Sequence, residues 1–270
     1  MRKLCSIVLL AGMVACLRAE EPVPLAVWED VENPSMLTNG LALPTTFTAM
    51  GWFEAGSFAD LAHILSYTAD VVQGTNGFGV FTTAEGAVAA FVRSQDDAHV
   101  IFAEGAATNM PQHFALTYSG TDATLYLNGF PSSTTNFPSA QSLDWGGELW
   151  SGTPPGETSL PVFDGAFAGM RLYGTALTWR DVASRFVTDR HAALLAAGAD
   201  VSSLDADADG MPDVWELRHG FNPLDSSDAA GDADNDGMGN LDECLRGRNP
   251  HAGAVAADPC LILSATEMSP

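Results

Sequence analysis

The order of hydrophobic and polar positions divides the chain into a long strand-rich part and a short loop-rich part. From about residue 22 to residue 190, short runs of aromatic and β-branched residues alternate with polar positions and are separated by Gly, Pro, Ser, Thr and Asn. A period of two residues predicts half-buried β-strands. The predicted strands are Phe47–Phe53, His63–Tyr67, Gly77–Thr82, Ala87–Val92, Ala98–Ala103, His113–Tyr118, Thr124–Leu127 and Gly165–Tyr173. Many strands at short spacing, without helices between them, predict a mainly β fold built as an antiparallel sandwich.

Two polar segments predict how neighbouring strands are joined. Residues Ser119 to Asp122 read Ser-Gly-Thr-Asp and predict a hairpin between the strands on either side. Asn128 and Gly129 predict a second turn, because both residue types tolerate positive φ.

After Tyr173 the hydrophobic period changes from that of strands to that of a helix. Thr178 and Asp181 have the spacing of a capping box, which predicts a helix that begins there. Its apolar stripe is Val182, Phe186, Ala193 and Leu194. Gly198 then predicts the end of the helix, because glycine readily adopts the left-handed conformation that follows a last turn.

The loop-rich part contains one twelve-residue pattern twice, and the second copy begins 27 residues after the first. In each copy, loop positions 1, 3, 5, 7, 9 and 12 are those that supply oxygen ligands to Ca²⁺ in calcium loops. In the first copy these positions are Asp205, Asp207, Asp209, Met211, Asp213 and Glu216. In the second copy they are Asp232, Asp234, Asp236, Met238, Asn240 and Glu243. Position 7 contributes its backbone carbonyl, which suits a methionine.

The pattern predicts two calcium sites, with an acidic solvated linker as the alternative. Glycine at position 6 of both copies, Gly210 and Gly237, permits the sharp turn of a calcium loop. Several carboxylates a few ångströms apart repel one another by about a kcal/mol or more per pair, so the region requires a cation to be compact. Short helices are predicted at Pro212–His219 and Leu241–Arg246, each followed by glycine.

Composition narrows the range of partners. The chain of 270 residues has a formal net charge of −23 at pH 7. Nucleic acid is excluded as a partner, because binding to phosphates requires clustered Lys and Arg. Docking on an anionic membrane surface is disfavoured for the same reason.

The N-terminus indicates export. Basic residues are followed by an apolar run that is too short for a membrane span, and the pattern predicts a signal peptide over residues 1–19. A lipoprotein signal is the second interpretation, in which Cys16 becomes a lipidated N-terminus. In the mature chain Cys244 and Cys260 either pair or remain as thiols. The last segment, residues 251–270, is interpreted as a linker or a truncated tail.

The strand-rich part resembles laminin-G-like domains of the concanavalin A type. The segments that carry this likeness are Phe47–Phe53, His113–Gly120, Leu125–Gly129, and the run from Phe163 through Tyr173 to Leu177. The resemblance covers residues 22–190, with a closing helix to about 197, and implies a jelly-roll sandwich. It further implies a secreted or cell-surface recognition module that binds carbohydrate or an extracellular glycoprotein and has no catalytic activity.

Residues 205–250 resemble the bacterial thrombospondin type 3 repeat. The likeness includes the Gly-Phe-Asn-Pro and Gly-Arg-Asn-Pro segments after the two short helices. No helix is predicted to run directly into Asp205 or Asp232, which distinguishes the pattern from an EF-hand. The resemblance implies two calcium loops packed on each other as a structural element, either in a recognition module or in the spacer of a larger surface protein.

Two tryptophans are candidates for a ligand site. Trp145 and Trp150 lie in a glycine-rich segment, and sugars bind to aromatic faces; the alternative is that both belong to the core. A jelly-roll glycosidase would require two carboxylates on one strand face. Asp144 and Glu148 are spaced for that, but the glycines between them disfavour a rigid catalytic strand. The histidines have no metal or catalytic-triad spacing.

Overall fold

The computed structural model describes residues 22–39, 45–68, 77–93, 98–137, 147–154 and 158–253. The predicted signal peptide, Asp144, Trp145, Cys260 and most of the predicted tail lie outside these ranges. By compactness the described chain divides into two units, residues 22–182 and 183–253. Each unit is described by itself below.

The first unit is the predicted antiparallel sandwich, and its twelve described strands form two six-stranded sheets. The strands are β1 Ala26–Val31, β2 Ser35–Asn39, β3 Phe47–Ala55, β4 Ala62–Thr68, β5 Gly77–Thr82, β6 Val88–Arg93, β7 Ala98–Ala103, β8 Gln112–Tyr118, β9 Asp122–Leu127, β10 Phe130–Asn136, β11 Glu148–Ser151 and β12 Gly165–Tyr173. The first sheet has the order β1-β12-β3-β8-β9-β10, and the second has the order β2-β11-β4-β5-β6-β7. All the strand pairs are antiparallel.

The core is formed by the inward-facing side chains of both sheets, and aromatic residues fill its centre. Phe47 of β3 stacks on Phe78 of β5 with ring centroids 4.5 Å apart, and Tyr67 of β4 also stacks on Phe78 at 5.7 Å. These three side chains are at most 1 % exposed. Their burial explains why the predicted strands have alternating apolar residues.

The two predicted turns are confirmed. Ser119 N–H donates to the Asp122 carbonyl at 2.9 Å and closes the hairpin between β8 and β9. Asn128 and Gly129 have φ values of 51° and 83° and turn the chain directly from β9 into β10. The sequence did not predict β1, β2, β10 and β11, and three of these are edge strands.

The helices begin and end close to their predicted bounds. Helix α1 spans Trp179–Ala196. Asp181 N–H donates to the Thr178 hydroxyl at 3.3 Å and Thr178 N–H donates to the Asp181 carboxylate at 3.1 Å, as a capping box requires. In the second unit, α2 spans Asp213–His219 and α3 spans Asn240–Arg246; the glycines that follow them, Gly220 and Gly247, have φ values of 75° and 63°. One turn of 3-10 helix, Asp228–Ala230, was not predicted and ends just before the second loop.

Candidate metal centre

The two acidic loops have the same backbone conformation. At position 4, Ala208 and Asn235 have φ values of 63° and 60°, and at position 6, Gly210 and Gly237 have φ values of 97° and 95°. A positive φ is rare for residues other than glycine and favours glycine at position 6. The sequence repeat is therefore also a structural repeat.

The first aspartate of each loop turns the backbone around its own carboxylate. Gly210 N–H donates to Asp205 Oδ2 at 2.9 Å, and Gly237 N–H donates to Asp232 Oδ2 at 2.9 Å. These equivalent bonds draw each loop into a tight ring, and the acidic side chains at positions 3 and 5 are held close to the first one.

The carboxylates at positions 1, 3 and 5 cluster in both loops. Oxygen atoms of Asp205, Asp207 and Asp209 lie within 4.8 Å of one another, as do those of Asp232, Asp234 and Asp236 in the second loop. Asp207 Oδ2, Asp209 Oδ2 and Asp236 Oδ2 are buried and have no hydrogen-bond partner. The second loop differs at Asp234 Oδ2, which accepts a hydrogen bond from Gly253 N–H.

The glutamates at position 12 are almost completely buried. Glu216 is 0 % exposed and Glu243 is 1 % exposed. Both carboxylate oxygens of Glu216, and Oε2 of Glu243, have no hydrogen-bond partner. An unpaired buried carboxylate costs several kcal/mol in the charged form, so a positive partner would stabilise these oxygens.

Burial and mutual repulsion shift Glu216 and Asp207 toward the neutral form in the absence of a cation. Burial is the main cause that raises the pKa of Glu216 to about 9, and the charges of Asp207 and Asp209 add to it. Burial, and then the charge of Asp209, raises the pKa of Asp207 to about 7. A divalent cation among these oxygens would remove both costs.

A third carboxylate group includes a residue outside the twelve-residue pattern. Oxygen atoms of Asp209, Glu216 and Asp228 lie within 4.8 Å of one another. Asp228 lies in the 3-10 helix between the repeats, where burial raises its pKa to about 6. The sequence did not predict this residue, because the loop pattern ends at Glu216 and spacing alone does not show that Asp228 folds back against Glu216.

The position 9 side chains form hydrogen bonds inside the second unit. Asp213 Oδ1 accepts from Ala206 N–H at 2.7 Å, and its Oδ2 lies 2.8 Å from His191 Nε2. Asn240 Oδ1 accepts the equivalent bond from Ala233 N–H at 3.1 Å. Their role as ligands, directly or through water, stays a prediction. At position 7, Met211 buries its side chain completely, which leaves its carbonyl as the group available to a cation.

Outside the acidic loops, Trp150 is the candidate ligand residue that the structure describes. It lies on β11 and is partly exposed, and its indole N–H donates to Glu148 Oε2 at 2.8 Å. Trp145 and Asp144 lie outside the described residues, so neither the pair of tryptophans nor the pair of carboxylates is tested.

Cys244 is half-buried and forms no disulfide within the described residues, and burial raises the pKa of its thiol to about 11. Cys260 lies outside the described residues, and a bond between the two cysteines stays a prediction. Among the helices that the structure describes, none has the length and apolar character required to cross a membrane.

Comparison with solved structures finds sandwiches of low sequence identity. The CBM40 of the Ruminococcus gnavus IT-sialidase is 15 % identical, with a TM-score of 0.49 over 63 % of this chain and 97 % of that chain. The leech intramolecular trans-sialidase is also 15 % identical, with a TM-score of 0.48 over 59 % and 27 % of the two chains. A SAP-like pentraxin from Limulus polyphemus is 14 % identical, with a TM-score of 0.44 over 57 % and 75 %.

A search of curated proteins returns no match. The sequence model of one family matches residues 31–183, which is more than half of the chain and includes most of the sandwich. The fold and this match together identify the chain as a member of the concanavalin A-like lectin/glucanases superfamily.

Proposed function

We propose that this chain is a secreted or cell-surface recognition module in which two calcium ions stabilise the C-terminal repeats and the sandwich binds carbohydrate without catalysis. The observation that carries the calcium part is Glu216, which is fully buried with both carboxylate oxygens unpaired. Oxygen-rich loops of this spacing suit a hard cation such as Ca²⁺, which takes six to eight oxygen ligands.

The donor set favours Ca²⁺ over other metals. The clustered groups are carboxylates, and no histidine or cysteine joins them among the described residues. Soft or nitrogen-preferring metals would require such ligands. The loop backbones supply further carbonyl oxygens, which calcium accepts readily and which magnesium, with its stricter octahedral geometry, uses less often.

Calcium affinity is expected to rise with pH. Without a cation, the folded chain retains protons on Glu216 and Asp207 that the unfolded chain would release near the ordinary values of 4.5 and 3.8. Stability from this protonation is complete below those values and is lost as pH rises through about 7 for Asp207 and about 9 for Glu216. A bound cation displaces the protons, so affinity should increase by up to about tenfold per pH unit for each proton displaced. Calcium titrations at several pH values between about 6 and 8 measure this slope, and a dissociation constant independent of pH contradicts it.

The carbohydrate part of the proposal is supported by Trp150, which is partly exposed on β11 beside the Glu148 carboxylate. Along one row of paired positions in the second sheet, Trp150 lies opposite Ser66, Ser66 opposite Gly79, and Gly79 opposite Phe91, and the last three residues are buried. A Cβ at Gly79 would lie 2.5 Å from the Phe91 ring, so the row requires glycine there. Aromatic side chains beside small residues and a carboxylate are the groups that bind the C–H surfaces and hydroxyls of sugars.

Substitution of Trp150 tests this part. Trp150→Ala should weaken binding to any glycan that the wild-type protein recognises by on the order of tenfold, because the aromatic contact is lost. Phe130→Ala is the matched control, since Phe130 is an aromatic residue 46 % exposed on the first sheet. A glycan array with and without calcium, followed by titration of the best ligand, provides the measurement. If the wild-type protein binds nothing on the array in either condition, the carbohydrate part fails and the structural spacer becomes the better account.

A glycoside hydrolase remains the rival function. Glu148 is the only member of the suspected carboxylate pair within the described residues, and its Oε2 accepts the Trp150 indole N–H. Hydrolysis of a polysaccharide by the wild-type protein that disappears in Glu148→Gln would overturn the non-catalytic assignment.

A further inference from the structure

Asp228 lies between the two repeats and faces the first one. It begins the 3-10 helix Asp228–Ala230, twelve residues after Glu216. Its Oδ2 accepts a hydrogen bond from Asn222 N–H at 3.1 Å, whereas its Oδ1 is buried without a partner. The carboxylate is therefore held in place on one side and unsatisfied on the other.

The Asp228 carboxylate lies close to two other carboxylates that have unpaired oxygens. Oxygens of Asp209, Glu216 and Asp228 lie within 4.8 Å of one another, and Glu216 is 0 % exposed with both oxygens unpaired. Three acids that share a buried space repel one another unless a cation lies among them, and a divalent cation is the partner that their geometry fits.

We infer that Asp228 is a ligand of the first-repeat cation, supplied from outside the twelve-residue loop, and that it joins this cation to the second loop. The inference rests on the proposed calcium binding. It adds a ligand that the sequence pattern does not contain and a physical connection between the repeats.

The connection runs through the backbone of the same residue. The Asp228 carbonyl accepts a hydrogen bond from Asn240 Nδ2 at 2.8 Å, and Asn240 Oδ1 accepts from Ala233 N–H inside the second loop. Asn240 N–H also donates to the Gly231 carbonyl at 2.8 Å. A cation that holds the Asp228 side chain therefore also holds the Asp228 carbonyl, which accepts the hydrogen bond from Asn240. Asn240 in turn stabilises the second loop through its hydrogen bond with Ala233.

The second repeat has a different residue at the equivalent position. The residue 27 positions after Asp228 is Val255, whose side chain has no oxygen. The two sites are therefore expected to differ in affinity.

The ligand role is tested in the full chain with the second site disabled. In a Glu243→Gln background, Asp228→Asn should weaken the remaining calcium binding by on the order of tenfold or more, as expected for the loss of a charged ligand. Asparagine keeps the bond to Asn222 N–H, so the fold is retained. Asp225→Asn is the matched control, because Asp225 lies on the same segment and accepts its hydrogen bonds from Ser227 instead. Equal affinities for the two variants overturn the ligand role.

The connection is tested by cooperativity between the sites. Because coupling is reciprocal, disabling the first site with Asp209→Asn should weaken calcium binding at the second repeat by several-fold, and Glu243→Gln should weaken binding at the first repeat by the same factor. Affinities that are unchanged in both variants overturn the connection. If the wild-type chain binds no calcium, the proposed function itself has failed; if it binds calcium but Asp228→Asn behaves as Asp225→Asn, only this inference has failed.

Discussion

Glu216→Gln is expected to abolish calcium binding at the first repeat and to leave one binding site in the chain. The dissociation constant of the first site should rise by on the order of 100-fold or more, because a buried glutamate that closes the loop with both oxygens is replaced by a neutral amide. Without calcium, the variant should be no less stable than the wild-type protein, since the raised pKa of Glu216, about 9, keeps this side chain mostly neutral at pH 7.

The combination of these two results separates a metal ligand from an ordinary buried residue. If Glu216 had only a structural role, its replacement would destabilise the protein equally with and without calcium. Asp242→Asn is the matched control, because Asp242 is an exposed acid of the second repeat outside the ligand positions. Calcium titration and thermal unfolding of the three proteins provide the measurements. A Glu216→Gln protein with two intact sites contradicts the assignment.

The second unit is expected to be about 5 kcal/mol less stable without calcium than at a saturating calcium concentration. A site that exists only in the folded chain contributes about 2.7 kcal/mol of stability when free calcium is 100 times the dissociation constant. In the metal-free unit, burial and then the charges of neighbouring acids raise the pKa values of Asp207, Glu216 and Asp228.

Calorimetric unfolding with calcium and with chelator measures this difference. The transition of the sandwich should not shift, because its core consists of apolar side chains from both sheets. Magnesium at the same concentration is the control and should restore less stability than calcium. Identical transitions in calcium and in chelator would contradict the stabilising role.

The sequence predicted all the inner strands of the sandwich except β11, and it missed three of the four edge strands. Strand β5 was predicted to the residue, and all six of its residues are buried. Strand β10 reads Phe-Pro-Ser-Ser-Thr-Thr-Asn and is mostly exposed. An edge strand with little buried surface needs few apolar residues, so it leaves no hydrophobic pattern to detect.

The same distinction applies to the candidate metal centre. Both acidic loops were found because their ligand positions are adjacent in sequence, and the structure places these carboxylates close together. Asp228 is distant from the first loop in sequence. It comes close to Asp209 and Glu216 because the 3-10 helix packs against α3 and the first repeat. The hydrogen bond between His191 and Asp213 likewise depends on folding, since these residues lie on separate helices.

The central claim is that the two repeats bind calcium, and a titration of the metal-free wild-type chain with calcium chloride at neutral pH tests it most directly. We expect two ions to bind per chain, with saturation at or below the millimolar concentrations typical of extracellular calcium modules. The absence of binding up to several millimolar calcium would contradict the account.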